Sequence, residues 1–166
     1  MRKIDPSESP ACSLARTIDV IGEKWTFLIL RDLLVGMSRN DEIARDLGIA
    51  TNILATRLQT LLEHGVIIRE TDTNDARAFV YSLSDKGREL FPILLSLTAW
   101  GDKWITAPGQ QPVLFVHERC GEVTAAVPTC SHCLEPLLLT ELSFIAGPGG
   151  KVGPRTQRIG HYLKHR

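Results

Sequence analysis

Apolar residues recur every three to four positions along the chain as far as Gly65, and from Val66 onward they alternate. A 3.6-residue period lines one face of a helix and a two-residue period lines one face of a strand. The chain therefore passes at this point from helices into a β-ribbon. Before the switch, Leu14, Ile18 and Ile21 mark one helical stretch, and Trp25, Leu28, Ile29, Leu33 and Leu34 continue the period after Gly22. Two helices, or one bent helix, are expected there. Ser38 is placed to cap a third helix with Ile43, Ala44 and Leu47 facing inward, and Gly48 is placed to stop it. Thr51 opens a fourth, in which Leu54, Leu58, Leu61 and Leu62 form one stripe before Gly65. Two short helices meeting at Gly48 make a helix-turn-helix candidate.

Past the switch, Val66 to Arg69 is rich in β-branched residues, and Phe79, Tyr81 and Leu83 alternate with Val80 and Ser82. The polar run ETDTNDAR between them suits a hairpin tip. A helix-turn-helix followed by such a ribbon is a winged helix. Ser84 can cap the next helix, which runs through Leu94, Leu97, Trp100 and Trp104. Pro92 inside it costs about 3 kcal/mol in an unbroken helix, so a kink or a restart is expected. Leu90, Phe91, Ile93, Leu94, Leu95 and Leu97 are apolar on more than one face, which a small monomer cannot cover. A homodimer through this helix follows.

The composition of the 166 residues, 43% hydrophobic with nineteen Lys and Arg against nineteen Asp and Glu, is that of a globular protein and excludes wholesale disorder. Apolar runs fall well short of the roughly 18 residues that a membrane span requires. No apolar run follows Arg2 and Lys3, so no secretory signal is read and a cytoplasmic location is expected. The zero net charge hides an asymmetry, because residues 151–166 hold Lys151, Arg155, Arg158, Lys164 and Arg166 with no acid. Such an end can touch phosphates or simply stay solvated.

On the fourth helix, Asn52, Thr56, Gln59, Thr60 and Glu63 project opposite the leucine stripe, with Ile53 and Arg57 flanking them. Asn and Gln can bond adenine bidentately, Thr and Ile can meet thymine methyls, and Arg can hold phosphate or guanine. Thr51 can give its backbone N–H to a phosphate. The same pattern also describes an ordinary solvated helix face, and the ribbon behind it favours the DNA reading.

Cys12 stands just ahead of the first helix, where a helix N-terminus favours thiolate, or where a small residue packs at an interface. Cys120, Cys130 and Cys133 cluster near the other end. His117-x-x-Cys120 follows a strand-like run, Val113 to Val116, and Cys130-x-x-Cys133 comes nine residues later. Two pairs of soft ligands at this spacing are the sequence form of a zinc ribbon, with His117, Cys120, Cys130 and Cys133 closing a structural zinc shell. His132 competes as fourth ligand, and a redox Cys130–Cys133 pair or unliganded thiols are the alternatives. From Ala146 the run AGPGGKVGPR reads as a flexible connector.

Cys12, the segments IDVIGEKWTFLILRDLL from Ile18, IATNILATRLQTLLEHGVI from Ile49 and YSLSDKGREL from Tyr81, with Trp100 and Gly101 beyond, together resemble the HxlR-type regulators, a MarR-related branch of the winged-helix transcription factors. The resemblance spans residues 12 to 105 and implies double-stranded DNA as partner and a redox, electrophile or small-molecule effector. Because the recognition face has few cations, a dimer on an inverted repeat with half-sites about one helical turn apart is expected. The resemblance places Arg77 at the wing tip against the minor groove or backbone, the alternative being a surface pair with Asp75, and it makes Cys12 a candidate sensor thiol.

The expected fold class is mainly α with a β wing: a winged helix-turn-helix for DNA binding and dimerisation over 1–106, a small zinc-ribbon-like extension over 107–145 and a flexible basic tail over 146–166. No Gly-rich phosphate loop, Ser/His/Asp set or paired carboxylates occur in supporting context, so catalysis is not expected. Two other readings stay open, a zinc or CxxC oxidoreductase and a protein-interaction module.

Overall fold

The computed structural model describes residues 12–150, 152–153 and 155–159. Lys151, Lys164 and Arg166 of the basic end lie outside the described residues. Among the described residues the α-helices come in the order α1 (Ser13–Ile21), α2 (Thr26–Leu34), α3 (Asn40–Leu47), α4 (Thr51–Glu63), α5 (Asp85–Arg88) and α6 (Phe91–Trp104). The wing, β1 (Ile67–Thr71) and β2 (Phe79–Leu83), separates α4 from α5, and a second hairpin, β3 (Phe115–His117) and β4 (Glu122–Thr124), follows α6.

Gly22 ends α1 as the break in the apolar period requires, and a Cβ there would stand 2.5 Å from Ile18 O. Gly48 and Gly65 close α3 and α4 in the left-handed region, at φ +59° and +64°, where a side chain is strained. The N-cap of α3 is Arg39 rather than Ser38. The Ser38 carbonyl accepts from Tyr81 N at 2.8 Å and Arg39 makes an isolated antiparallel bridge to Val80, so this stretch is tied to the side of the wing. Glu42 takes over the capping, its Oε2 accepting from Arg39 N at 3.2 Å.

β1 and β2 pair antiparallel from Ile67 opposite Leu83 to Thr71 opposite Phe79, so β1 starts and ends slightly later than its β-branched run suggests. Ser84 does cap α5, its Oγ accepting from Gly87 N at 3.1 Å. The same hydroxyl lies 2.9 Å from Val66 O, which pins the end of the wing to its start. Pro92 enforces a restart. The expected long helix is two, α5 and α6, with the proline in the first turn of α6, where its missing N–H costs nothing.

The core lies among α2, α3, α4 and the base of the wing, built from Ile29, Leu30, Ile43, Leu54, Leu58 and Ile67 with their neighbours. Each such side chain contributes about 1.5–3 kcal/mol by leaving water. Asp32 is buried among them. Its Oδ1 accepts from Arg31 Nε at 2.9 Å and Nη2 at 2.6 Å, and Arg31 also holds Asp46 at 2.9 Å. Asp32 Oδ2 has no hydrogen-bond partner among the described residues.

Outside this core the chain is thinly covered. No residue of α6 is buried, and Ile93, Leu97, Trp100 and Trp104 are exposed along it, as are Leu14 and Ile18 on α1. Leu94 differs from these, for it packs against the core. The extension touches α6 where Phe115 meets Phe91 edge-on, with ring centroids 6.2 Å apart. At the basic end, Arg155 Nη1 pairs with Asp19 of α1 at 2.5 Å. Among the described residues no helix is long and apolar enough to cross a membrane.

Candidate nucleic-acid interface

Burial of Leu54, Leu58 and Leu61 fixes the rotation of α4, so its opposite side must face outward. Asn52, Thr56 and Gln59 are all exposed on that side. Two of them are engaged within the helix. Thr56 Oγ1 donates to Asn52 O at 2.9 Å, and Gln59 Nε2 donates to Glu63 Oε1 at 3.0 Å. Ile53 stands half out at the edge of the face. At the helix start the N–H groups of Ile53 and Leu54 both go to Ala50 O, and those of Thr51 and Asn52 have no partner within the first turn. That is the arrangement in which a helix start accepts a phosphate oxygen.

Arg57 flanks the face, half-buried, with Nη1 3.5 Å from Glu23 Oε1 in the α1–α2 turn. Glu23 thus holds one cation of the predicted contact set, a pairing across 34 positions that helical spacing could not reveal. Arg77 is the opposite case. Its side chain is 94% exposed at the wing tip, its backbone N donates to Asp75 Oδ1 at 3.0 Å, and its Nε stands 3.7 Å from the same oxygen. An exposed pair of this length is worth under about 1 kcal/mol, so the guanidinium is available to another anion.

The wing is aimed by residues the sequence did not single out. Arg39, at the start of α3, reaches Asp72 Oδ2, while Asp72 Oδ1 accepts from Asn74 N at 2.8 Å. Lys86 Nζ donates to His64 O at 2.7 Å and ties α5 to the end of α4. On the outer side of the ribbon, the Arg69 guanidinium stacks 4.5 Å from the Phe79 ring centroid. The period of the chain marks α4 and the wing separately, whereas their mutual placement rests on the shared core, in which Leu54, Leu58 and Leu61 of α4 pack with Ile67 and Leu83 of the wing.

Cys12 sits half-buried immediately before α1, its carbonyl accepting from Arg16 N at 3.1 Å. In the extension, His117 Nδ1 lies 3.3 Å from Cys120 Sγ at the β3–β4 turn. Cys130 accepts from the backbone N–H of Cys133 and of His132, which lowers its thiol below the usual value. The four expected zinc ligands are not brought together: among the described residues no group of three or more His, Cys, Asp or Glu side chains could hold a metal ion.

Residues 20–108 match the HxlR-like helix-turn-helix family model. An uncharacterized HTH-type transcriptional regulator of Mycobacterium tuberculosis, Rv3095, is 35% identical over 139 residues, 84% of this chain and 88% of that one. A match of that length exceeds residues 1–108 and so takes in part of the extension. The crystal structure of PA1607, described as a candidate transcription factor, superposes with a TM-score of 0.75 at 34% identity over 84% of this chain and 98% of that chain. The redox regulator HypR, in its oxidized form, superposes with a TM-score of 0.51 at 32% identity over 55% of this chain and 96% of its own. A winged helix-turn-helix with an outward polar face on α4, matched over more than half its length, makes this chain a member of the HxlR-like helix-turn-helix family of transcriptional regulators.

Proposed function

We propose that the chain binds operator DNA as a homodimer, with α4 in the major groove and the wing tip on the adjacent backbone or minor groove. The observation that carries this reading is the exposure of Asn52, Thr56 and Gln59 on a helix whose other side is locked into the core. Asn52 and Gln59 supply bidentate readout of adenine, Thr56 and Ile53 supply contact with thymine methyls, and Thr51 brings a backbone N–H to phosphate. Arg57 and Arg77 add charge at the two margins. Since one recognition helix carries so few cations, useful affinity comes from two copies on an inverted repeat, half-sites about one helical turn apart.

The second copy is seated on α1 and α6, whose exposed Leu14, Ile18, Leu97, Trp100 and Trp104 form an apolar surface that water penalises. Cys12 lies at the edge of that surface, at the start of α1, and is the thiol through which an oxidant or quinone loosens DNA binding. The likeness to a protein named as a redox regulator supports this part of the reading.

A gel-shift with the chain's own upstream region tests the whole. Salt-sensitive, sequence-specific retention by the wild type, lost in Asn52→Ala with Gln59→Ala, is expected. Equal retention of an unrelated duplex overturns it. For the thiol, Cys12→Ser should hold DNA in the presence of quinone, and release equal to that of the wild type removes Cys12 as sensor.

A further inference from the structure

The extension has two hairpin tips with one backbone form. At the first, Cys120 N and Gly121 N both donate to His117 O, at 3.0 and 2.8 Å, and Gly121 takes φ +76°. At the second, Leu134 N donates to Cys130 O at 2.9 Å and Leu134 takes φ +64°. Each tip therefore reads ligand, two residues, ligand, then a residue in the left-handed region. A leucine there costs roughly 1–2 kcal/mol, which an unconstrained turn would shed by choosing another conformation. Both tips close short antiparallel ladders, β3 with β4 at the first and Thr129 with Pro136 at the second, where Cys130 N bonds Glu135 O at 2.8 Å. At the first tip the His117 ring faces the Cys120 sulfur, with Nδ1 3.3 Å from Sγ.

We propose that these tips are the two halves of one tetrahedral zinc site made by His117, Cys120, Cys130 and Cys133. Three thiolates and an imidazole are the donor set that zinc prefers and that calcium and magnesium do not. The pairs stand apart in this structure, and Ala125 to Pro128, which lie in no helix or strand, form the joint about which the tips come together. The extension needs such a centre. Between residues 107 and 150 nothing is buried, and only Phe115, Ala126 and Cys130 are half-covered, so these forty-odd residues have no core to hold their turns. Metal binding supplies that folding energy directly. Four protein ligands leave no open position for water, which makes the site structural, and it stands independently of the DNA-binding reading.

Metal analysis of the full chain, purified without chelator or added metal, should find one zinc per chain, lost in Cys120→Ser and in Cys133→Ser. His117→Cys should keep the ion. Cobalt exchanged into the wild type should give tetrahedral bands with charge transfer from three thiolates, rising to four in His117→Cys, a readout on the folded wild type should the serine variants not fold. Removal of the metal should speed amide exchange over residues 115–137 and leave residues 26–83 unchanged. Well under one zinc per chain overturns the site. So do half a zinc per chain, which means an ion shared between copies, a Cys130–Cys133 disulfide in the purified protein, or full zinc in the two serine variants.

Discussion

Arg39 Nη1 stands 2.5 Å from Asp72 Oδ2, so the N-cap residue of α3 holds the residue at which the wing leaves its ladder. Asp72 is nearly buried, and its other oxygen bonds Asn74 N, so one carboxylate serves both the wing's aim and its turn. Asp72→Ala should lower stability by about 1–3 kcal/mol, the range for a hydrogen bond to a charged group left without its partner. The same variant should raise amide exchange across residues 72–78 and weaken operator binding, with the α4 contacts intact. Denaturant unfolding and exchange on one sample check it, and an unchanged wing in Asp72→Ala would show that β1 and β2 set the wing's direction unaided.

Arg57 is offered to DNA only if it parts from Glu23. The pair is partly exposed and worth under about 1 kcal/mol, less than a phosphate contact returns at moderate salt. Arg57→Ala should therefore reduce affinity and flatten the salt dependence by about one unit per protomer in the log–log slope. Glu23→Gln should leave that slope at the wild-type value or raise affinity slightly. Anisotropy titrations across a salt series decide it, and an Arg57→Ala slope equal to the wild type's assigns Arg57 to the α1–α2 turn alone.

Much of the fold is legible because its punctuation is local. Gly48 and Gly65 sit at positive φ where the helical period stops, Ser84 caps as its position suggests, and Pro92 restarts a helix that it cannot continue. Ser38 misleads for the opposite reason: its carbonyl is claimed by Tyr81, over forty positions away, and capping passes to Glu42. Arg39–Asp72 and Arg57–Glu23 are invisible in the same way, being pairings set by tertiary placement. The outward face of α4 was readable because a leucine stripe fixes its own opposite. For the cysteine pairs the spacing was readable, while in Ala125 to Pro128 no periodicity sets where one pair lies relative to the other.

Gly87 lies buried against the wing's base, and a Cβ there would stand 2.1 Å from Val66 O, a backbone atom that cannot yield alone. Gly87→Ala should push α5 off β1 and cost about 1–3 kcal/mol, as overpacking does. Gly101 in α6 has open space around its would-be Cβ, so Gly101→Ala should gain about 0.5–1 kcal/mol from helix propensity. Thermal unfolding of the two variants should move in opposite directions, and a neutral Gly87→Ala would refute the close approach.

Burial pushes the Asp32 carboxyl above its ordinary value of 3.8, and the neighbouring Arg31 guanidinium offsets only part of that rise. A carboxyl whose pKa is raised on folding binds its proton more tightly in the folded chain. Its contribution is then fully present below the ordinary value and is lost as pH rises through the folded one. Asp32→Asn, which carries no titrating charge, lacks this loss. The difference in unfolding free energy between Asp32→Asn and the wild type should shift in the variant's favour as pH is raised from about 3.5 towards neutrality. A difference that stays constant across that range, or moves the other way, places the Asp32 pKa at or below its unfolded value.

Dimerisation through α1 and α6 makes the most discriminating prediction, because neighbouring leucines on α6 have different duties. Leu94 packs against the core, so an acidic residue there tests folding as much as assembly. Leu97 is 49% exposed and Ile93 44%, so glutamate at either removes little from the monomer and buries a charge only if a second copy covers it. Leu97→Glu and Ile93→Glu should leave the unfolding midpoint of the monomer near the wild type's and raise the dissociation constant of the dimer at least a hundredfold by sedimentation, about 2.7 kcal/mol. Both should also abolish the gel-shift on a full inverted repeat while preserving weak, salt-sensitive binding to a single half-site. A wild-type sedimentation profile for both variants excludes this surface from the dimer.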